Sequence, residues 1–199
     1  MKFTPTKIAG VWIVDLERRE DERGWFARTW CAEEFAAHGL PMAFSQCSAS
    51  FNRRRGTLRG MHYQVAPHAE AKLVRCVRGA MFDVALDLRP ESATFRQWVA
   101  AELTAENGRA LFIPEGCAHG FQTLAEDTEV FYQIAGAYRP SSGRGVRWDD
   151  PAFGITWPLP TEAFISPRDV GLPDFVPAPT RGILLEPGAA MAGPSPHRS

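Results

Sequence analysis

From residue 44 onward, apolar and polar positions alternate in short runs over 44–51, 57–64, 71–77, 80–88, 98–103, 110–113, 118–123 and 128–134, with turn signals between them. Side chains of a strand point alternately to the two faces of a sheet, so this spacing predicts an all-β sandwich or barrel. The run 80–88 is the cleanest: Phe82, Val84, Leu86 and Leu88 share one face, and Met81, Asp83, Ala85 and Asp87 share the other. A polar-lined face opposite an apolar one fits a barrel with a ligand cavity, and equally a sheet with one wet face. Upstream, 11–16 predicts a strand, 17–22 a charged turn ending at Arg23-Gly24, and 25–30 an extended segment. Residues 31–38 are mostly good helix formers closed by Gly39, the position of a C-terminal cap, and form the only predicted helix. Asn107-Gly108 predicts a tight hairpin turn, and Trp148 and Trp157 are predicted packing anchors for extended segments crossing the surface. After Gly171, Pro, Gly and Ala dominate without apolar periodicity. The expected organisation is therefore one domain over 1–176 and an extended or disordered tail over 177–199.

Composition narrows the function classes. At 199 residues, 45% hydrophobic, 23% charged and a formal net charge of -1, the chain reads as an ordinary soluble globular protein. It lacks the basic excess that nucleic acid would demand. Cys31, Cys47, Cys76 and Cys117 contain no C-x-x-C pair, so neither a zinc site nor a redox motif is expected, and reduced thiols fit a cytoplasmic location. No apolar run approaches membrane-spanning length and no signal-like segment opens the chain, so no membrane partner is expected.

Candidate chemistry concentrates in Gly56-Thr57-Leu58-Arg59-Gly60-Met61-His62-Tyr63-Gln64. In a regular strand Arg59 and His62 would face opposite ways. A bulge at Gly60 would let both look into one pocket. A half-buried strand with a structural histidine would carry the same letters. Arg53, Arg54, Arg55 and Arg59, followed by Lys72 and Arg75, form a cluster suited to an anion, or a solvated basic loop. A second histidine stands in Ala118-His119-Gly120-Phe121.

Taken in order, Arg23-Gly24-Trp25-Phe26, Leu58 to Gln64, Lys72-Leu73-Val74, Asp83 to Arg89, Pro114-Glu115-Gly116-Cys117-Ala118-His119-Gly120-Phe121 and Trp148-Asp149-Asp150-Pro151 resemble the dTDP-4-dehydrorhamnose 3,5-epimerase family over about residues 3–176. The resemblance implies an all-β, cupin-type double-stranded β-helix (a jelly-roll barrel) with one short N-terminal helix. It also implies an isomerase that inverts C-3, C-5 or both in a nucleoside-diphosphate 4-keto-6-deoxy sugar. The missing His-x-His pair and a lysine available at the oxyanion lead us to expect no metal or other cofactor. By the same resemblance His62 is the general base, Asp169 the carboxylate that orients it, Lys72 the cation near the ketone oxygen, and Tyr132 the acid on the opposite face. Arg23 and Arg59 are matched to diphosphate binding, Gln46 and His119 to the substrate pocket, and Tyr138 to the nucleotide base. Members are usually homodimers, so the resemblance implies N-terminal segments reaching the partner site, with Arg23 serving the neighbouring subunit.

Elementary chemistry agrees with those roles. Inverting a carbon beside a ketone needs a base on one face, a proton donor on the other, and a cation where enolate charge develops. Histidine, tyrosine and lysine supply the three, while planar guanidinium groups suit phosphate oxygens. The chain departs from the common pattern with Arg28 where many members have Glu, with Gln46-Cys47-Ser48 for Gln-x-Asn, and with one extra residue between Gln46 and Gly56. These positions lie at the nucleotide end in relatives, which leaves dTDP, CDP, UDP and GDP open. Two other readings stand beside this one. A metal-dependent cupin oxygenase or isomerase would use His62 and His119, but Gln64 replaces the second histidine of a His-x-His pair, leaving His68 and Glu70 as further ligands. A non-catalytic sugar-nucleotide binding protein would need neither His62 nor Tyr132.

Overall fold

In the computed structural model, which describes residues 1–40 and 43–176, the alternating runs are the strands of two sheets that share a core. In chain order the elements are β1 (Lys2–Pro5), β2 (Trp12–Asp15), β3 (Arg19–Asp21), β4 (Gly24–Phe26), α1 (Ala32–Ala37), β5 (Phe44–Asn52), β6 (Thr57–Gln64) and β7 (Ala71–Arg78). There follow β8 (Ala80–Asp87), β9 (Trp98–Thr104), β10 (Ala110–Ile113), β11 (Cys117–Thr123), β12 (Thr128–Ala135), β13 (Gly143–Gly145), β14 (Phe164–Ile165) and α2 (Pro167–Val170). One sheet runs β1-β2-β10-β7-β12-β5 and the other β13-β6-β11-β8-β9, with β14 added parallel to β6. From β5 to β13 the chain changes sheet at every step except β8 to β9, and these antiparallel ladders make the cupin-like jelly roll.

Three apolar clusters explain why these residues take these places. Between the sheets lie Val74, Cys76, Met81, Ala85, Leu103, Leu111, Ile113, Phe121 and Val130. The outward side of β6, β8 and β11 is covered as well: Leu58, Met61, Val84, Leu86 and Ala118 pack under Val146, Phe153 and Trp157 from the C-terminal segment. The run 80–88 therefore has no wet face, and its apolar residues are the ones turned outward beneath that cover. Trp157 anchors it, donating its indole N–H to the Trp148 carbonyl at 2.8 Å. On the other sheet Phe35 of α1 buries against Val14, Leu73, Ala110 and Phe112. Gly39 ends that helix at φ +71°, with its N–H and that of Leu40 donating to the carbonyls of Ala36 and Phe35.

Several local expectations are corrected by tertiary pairing. The charged turn at 17–22 contains β3, which pairs with β4 as a small exposed hairpin, and the extended segment after Trp25 is strand only as far as Phe26. Asn107-Gly108 does turn the chain, but β9 and β10 belong to different sheets, so it is a crossing and not a hairpin. A second short helix, α2, follows Ser166, whose hydroxyl accepts from the Asp169 N–H at 3.2 Å. The expected tail over 177–199 lies outside the described residues.

The bulge on β6 is present. His119 pairs with His62 and Phe121 with Arg59, so two steps on β11 span three on β6. Gly60 sits at φ +130°, and a Cβ there would lie 2.5 Å from the Gly120 Cα and 2.9 Å from the His119 carbonyl oxygen. Gly60→Ala is expected to lower unfolding free energy by about 2–4 kcal/mol, since both the backbone conformation and the space exclude a side chain. An unchanged denaturant midpoint would contradict this.

Candidate active site

A cavity of about 450 Å³ opens between β5, β7 and β12 of one sheet and β6 and β11 of the other. Gln46, Arg59, His62, Lys72, His119, Tyr132, Tyr138 and Asp169 all line it. The bulge turns Arg59 and His62 to the same side, and period-two alternation brings Gln46, Ser48 and Ser50 of β5 in beside Tyr132 of β12. His62 and Tyr132 thus stand on strands of different sheets, with the cavity between. Arg23 is apart: it sits on the β3–β4 hairpin, four-fifths exposed, paired with Asp21 at 2.6 Å.

His62 donates through Nε2 to Asp169 Oδ1 at 2.8 Å, which leaves Nδ1 as the basic nitrogen. Asp169 is buried, and the Gly60 N–H donates to its other oxygen at 3.4 Å. Burial holds the His62 pKa below the usual imidazole value, against the upward pull of Asp169, with the charges of Lys72 and His119 lowering it further. The imidazole is therefore neutral, and able to accept a proton, at neutral pH. Rate should fall only as pH drops through a His62 pKa lying under the ordinary 6.5. Asp169→Asn removes an upward influence, so the acid limb should move to still lower pH while kcat falls roughly a hundredfold or more. A pH–rate profile whose acid limb moves upward in that variant would contradict the pairing.

Tyr132 faces this dyad from the other sheet. Burial pushes its pKa up to about 12, with a Ser50 hydrogen bond at 3.1 Å opposing, so the phenol keeps its proton through the neutral range and can donate it. Lys72 extends from the Tyr132 sheet and is almost wholly buried. Its Nζ lies 3.0 Å from Glu70 and donates to the His62 carbonyl at 3.4 Å. His119 meets Asp83 at 2.7 Å, and its ring stands edge-on to Tyr132 with centroids 6.1 Å apart. Burial raises the Asp83 pKa, against His119 and Lys72, and its second oxygen has no partner among the described residues.

The basic cluster expected from the sequence separates in space. Only Arg59 and Lys72 reach the cavity. Arg54 stacks on Phe164, Arg55 pairs with Glu162, and Arg75 lies on the far side of β7, donating to the Thr29 carbonyl. Arg144 and Arg168 take the places of the others, so four cations line the wall against the carboxylates of Glu70 and Asp169. That balance suits an anionic ligand.

Sequence reasoning did not assign roles to Ser50, Glu70, Asp83 or Ser166. Ser50 and Asp83 follow from period-two alternation with Gln46 and Ala85, and Ser166-Pro167-Arg168-Asp169 carries a readable helix-start signature. Glu70, weighed only as a metal ligand, instead pairs with Lys72 and accepts from Gln64 Nε2 at 2.8 Å. Gln64 also donates to the carbonyls of His68 and Ala137 and accepts from the Arg139 N–H, which commits it to bracing two loops. Among the described residues no three His, Cys, Asp or Glu side chains converge as a metal site.

A family model described as dTDP-4-dehydrorhamnose 3,5-epimerase matches residues 5–176. A dTDP-4-dehydrorhamnose 3,5-epimerase of Sinorhizobium fredii is 41% identical over 179 residues, covering 90% of this chain and 92% of that protein. The crystal structure of a dTDP-4-dehydrorhamnose 3,5-epimerase from Elizabethkingia anophelis superposes with a TM-score of 0.85 at 36% identity, covering 88% of this chain and 96% of that one. A 3'-monoepimerase from Streptomyces bikiniensis, in complex with dTDP-quinovose, superposes with a TM-score of 0.79 at 33% identity, covering 85% and 86%.

Proposed function

The chain belongs to the dTDP-4-dehydrorhamnose 3,5-epimerase family, and from that premise we propose that it inverts C-3 and C-5 of a dTDP-linked 4-keto-6-deoxyhexose by removing a proton beside the ketone and returning one from the other side. It is an isomerase of nucleotide sugars in deoxysugar biosynthesis. The observation that carries the residue assignment is His62 of one sheet, paired with Asp169 of α2, facing the protonated Tyr132 of the other sheet across one cavity.

Each step follows from that arrangement. His62 Nδ1 takes the proton from the carbon next to the ketone, and Asp169 steadies the imidazolium that forms. Negative charge then develops on the ketone oxygen, where Lys72 supplies a compact cation. His119, held by Asp83, is a second imidazole in the same cavity. Tyr132 returns a proton to the opposite face and leaves a phenolate beside Ser50. Arg59 and Arg168 line the cavity as planar forks for the diphosphate, and Tyr138 offers an exposed ring for the base. None of these steps needs a metal.

Arg23 enters through assembly. Trp25 and Phe26 are half to three-quarters exposed on the same hairpin, which is the composition of a segment that docks on another molecule. The proposal is a homodimer in which the hairpin of one chain completes the cavity of its partner. Mixing inactive His62→Ala with inactive Arg23→Ala should then restore activity, and failure to complement would remove this part. No helix among the described residues is long and apolar enough to cross a membrane, and four free cysteines fit work in the cytoplasm.

NMR of the dTDP-4-keto-6-deoxy sugar with enzyme in heavy water tests the function. Inversion with one deuteron gained at each of C-3 and C-5 is expected. Label and inversion at a single carbon would reduce the reading to a monoepimerase, and no label at either carbon would overturn it.

A further inference from the structure

The hydrogen bonds behind Tyr132 form a directed series. Arg59 has donors only, and its Nε–H donates to Asn52 Oδ1 at 2.8 Å. This fixes the amide, so that Asn52 Nδ2 faces the Thr128 carbonyl at 3.1 Å with one proton and, with the other, is shared between the Ser50 carbonyl at 3.4 Å and Ser50 Oγ at 3.5 Å. With a donor approaching Ser50 Oγ from that side, the serine proton is turned toward Tyr132 Oη, 3.1 Å away. Tyr132 then accepts, and its own O–H is left free to point into the cavity.

We infer that Ser50 is a positioning residue for the reaction: its hydroxyl donates to Tyr132 Oη, aims the phenolic proton at the substrate carbon and stabilises the phenolate left after that proton is given up. In the reverse polarity Tyr132 would spend its proton on Ser50 and present only a lone pair to the substrate. The polarity is set by Arg59 through Asn52, so the same guanidinium that lines the cavity for an anionic ligand also orders the acid. Its charge favours the phenolate as well, as does the Ser50 hydrogen bond. The inference rests on Tyr132 being the proton donor.

Two rates in heavy water separate positioning from simple structure: deuterium exchange, which needs only the His62 side, and inversion, which needs both. Ser50→Ala should lower the ratio of inversion to exchange about tenfold, the scale of one hydrogen bond to a developing charge. Ser50→Thr keeps a hydroxyl on a strand that tolerates β-branching and should recover the parental ratio. An unchanged ratio in Ser50→Ala overturns the inference, whether both rates stay parental or both fall together. So does a Thr variant that behaves as the Ala one does. Tyr132→Phe, measured alongside, tells the two levels apart. If Tyr132→Phe also keeps the parental ratio, the assignment of the acid itself fails; if it alone changes the ratio, only the role of Ser50 fails.

Discussion

His62→Ala is expected to abolish epimerisation, with a loss of roughly 10³- to 10⁴-fold, and to abolish deuterium exchange from heavy water in the same measure. Both readouts must fall together because the enolate precedes either outcome. The other groups of the wall are less available: His119 is buried against Asp83, Lys72 sits with Glu70, and Asp169 is buried behind His62. The fold should survive, since the His62 side chain is more than a third exposed and belongs to none of the apolar clusters. Exchange that continues in this variant would show that another group removes the proton.

Tyr132→Phe should have an effect of similar size on one readout and a small effect on the other. Inversion falls by roughly 10²- to 10³-fold, while His62 continues to remove and redeliver protons on its own face and label still enters. The ring remains, so the packing of Tyr132 against the core and its edge contact with His119 are kept. Only the hydroxyl and its bond to Ser50 are lost. Inversion at the parental rate would mean that the proton returns from somewhere else.

The parts of this site that were legible in the sequence are those governed by short-range rules. Strand alternation over 44–51, 57–64, 71–77 and 128–134 predicts the strands themselves, while Gln46, Lys72 and Tyr132, which the structure puts on walls of the cavity, are singled out as site residues only through the resemblance. A glycine between Arg59 and His62 announced the bulge that aligns them. The Ser-x-x-Asp pattern at Ser166 is equally local but is not among the predicted helix starts; it fixes the turn of helix from which Asp169 reaches back.

What the sequence withheld depends on partners far along the chain. Asn107-Gly108 has the letters of a hairpin, yet β10 lies between β2 and β7 because its buried Ala110, Leu111, Phe112 and Ile113 complete two different cores at once. Arg75 and Lys72 look alike in a basic cluster, but three positions of separation put them on opposite faces of β7. Glu70 with Lys72 and Asn52 with Ser50 are i,i+2 neighbours that alternation alone brings together, but the link from Arg59 on β6 to Asn52 on β5 crosses between the two sheets, and no local pattern states it. The resemblance to a family supplied roles for His62, Tyr132, Lys72 and Asp169 that spacing alone had left open.

A crystal structure with an unreactive dTDP-hexose bound in the cavity tests most directly whether base and acid flank the sugar. The expected result places His62 Nδ1 and Tyr132 Oη on opposite faces of the ring, each roughly 3–3.5 Å from a carbon adjacent to C-4, with Lys72 Nζ nearest the C-4 oxygen. A sugar seated with His62 and Tyr132 on the same face, or with C-4 remote from Lys72, would contradict it.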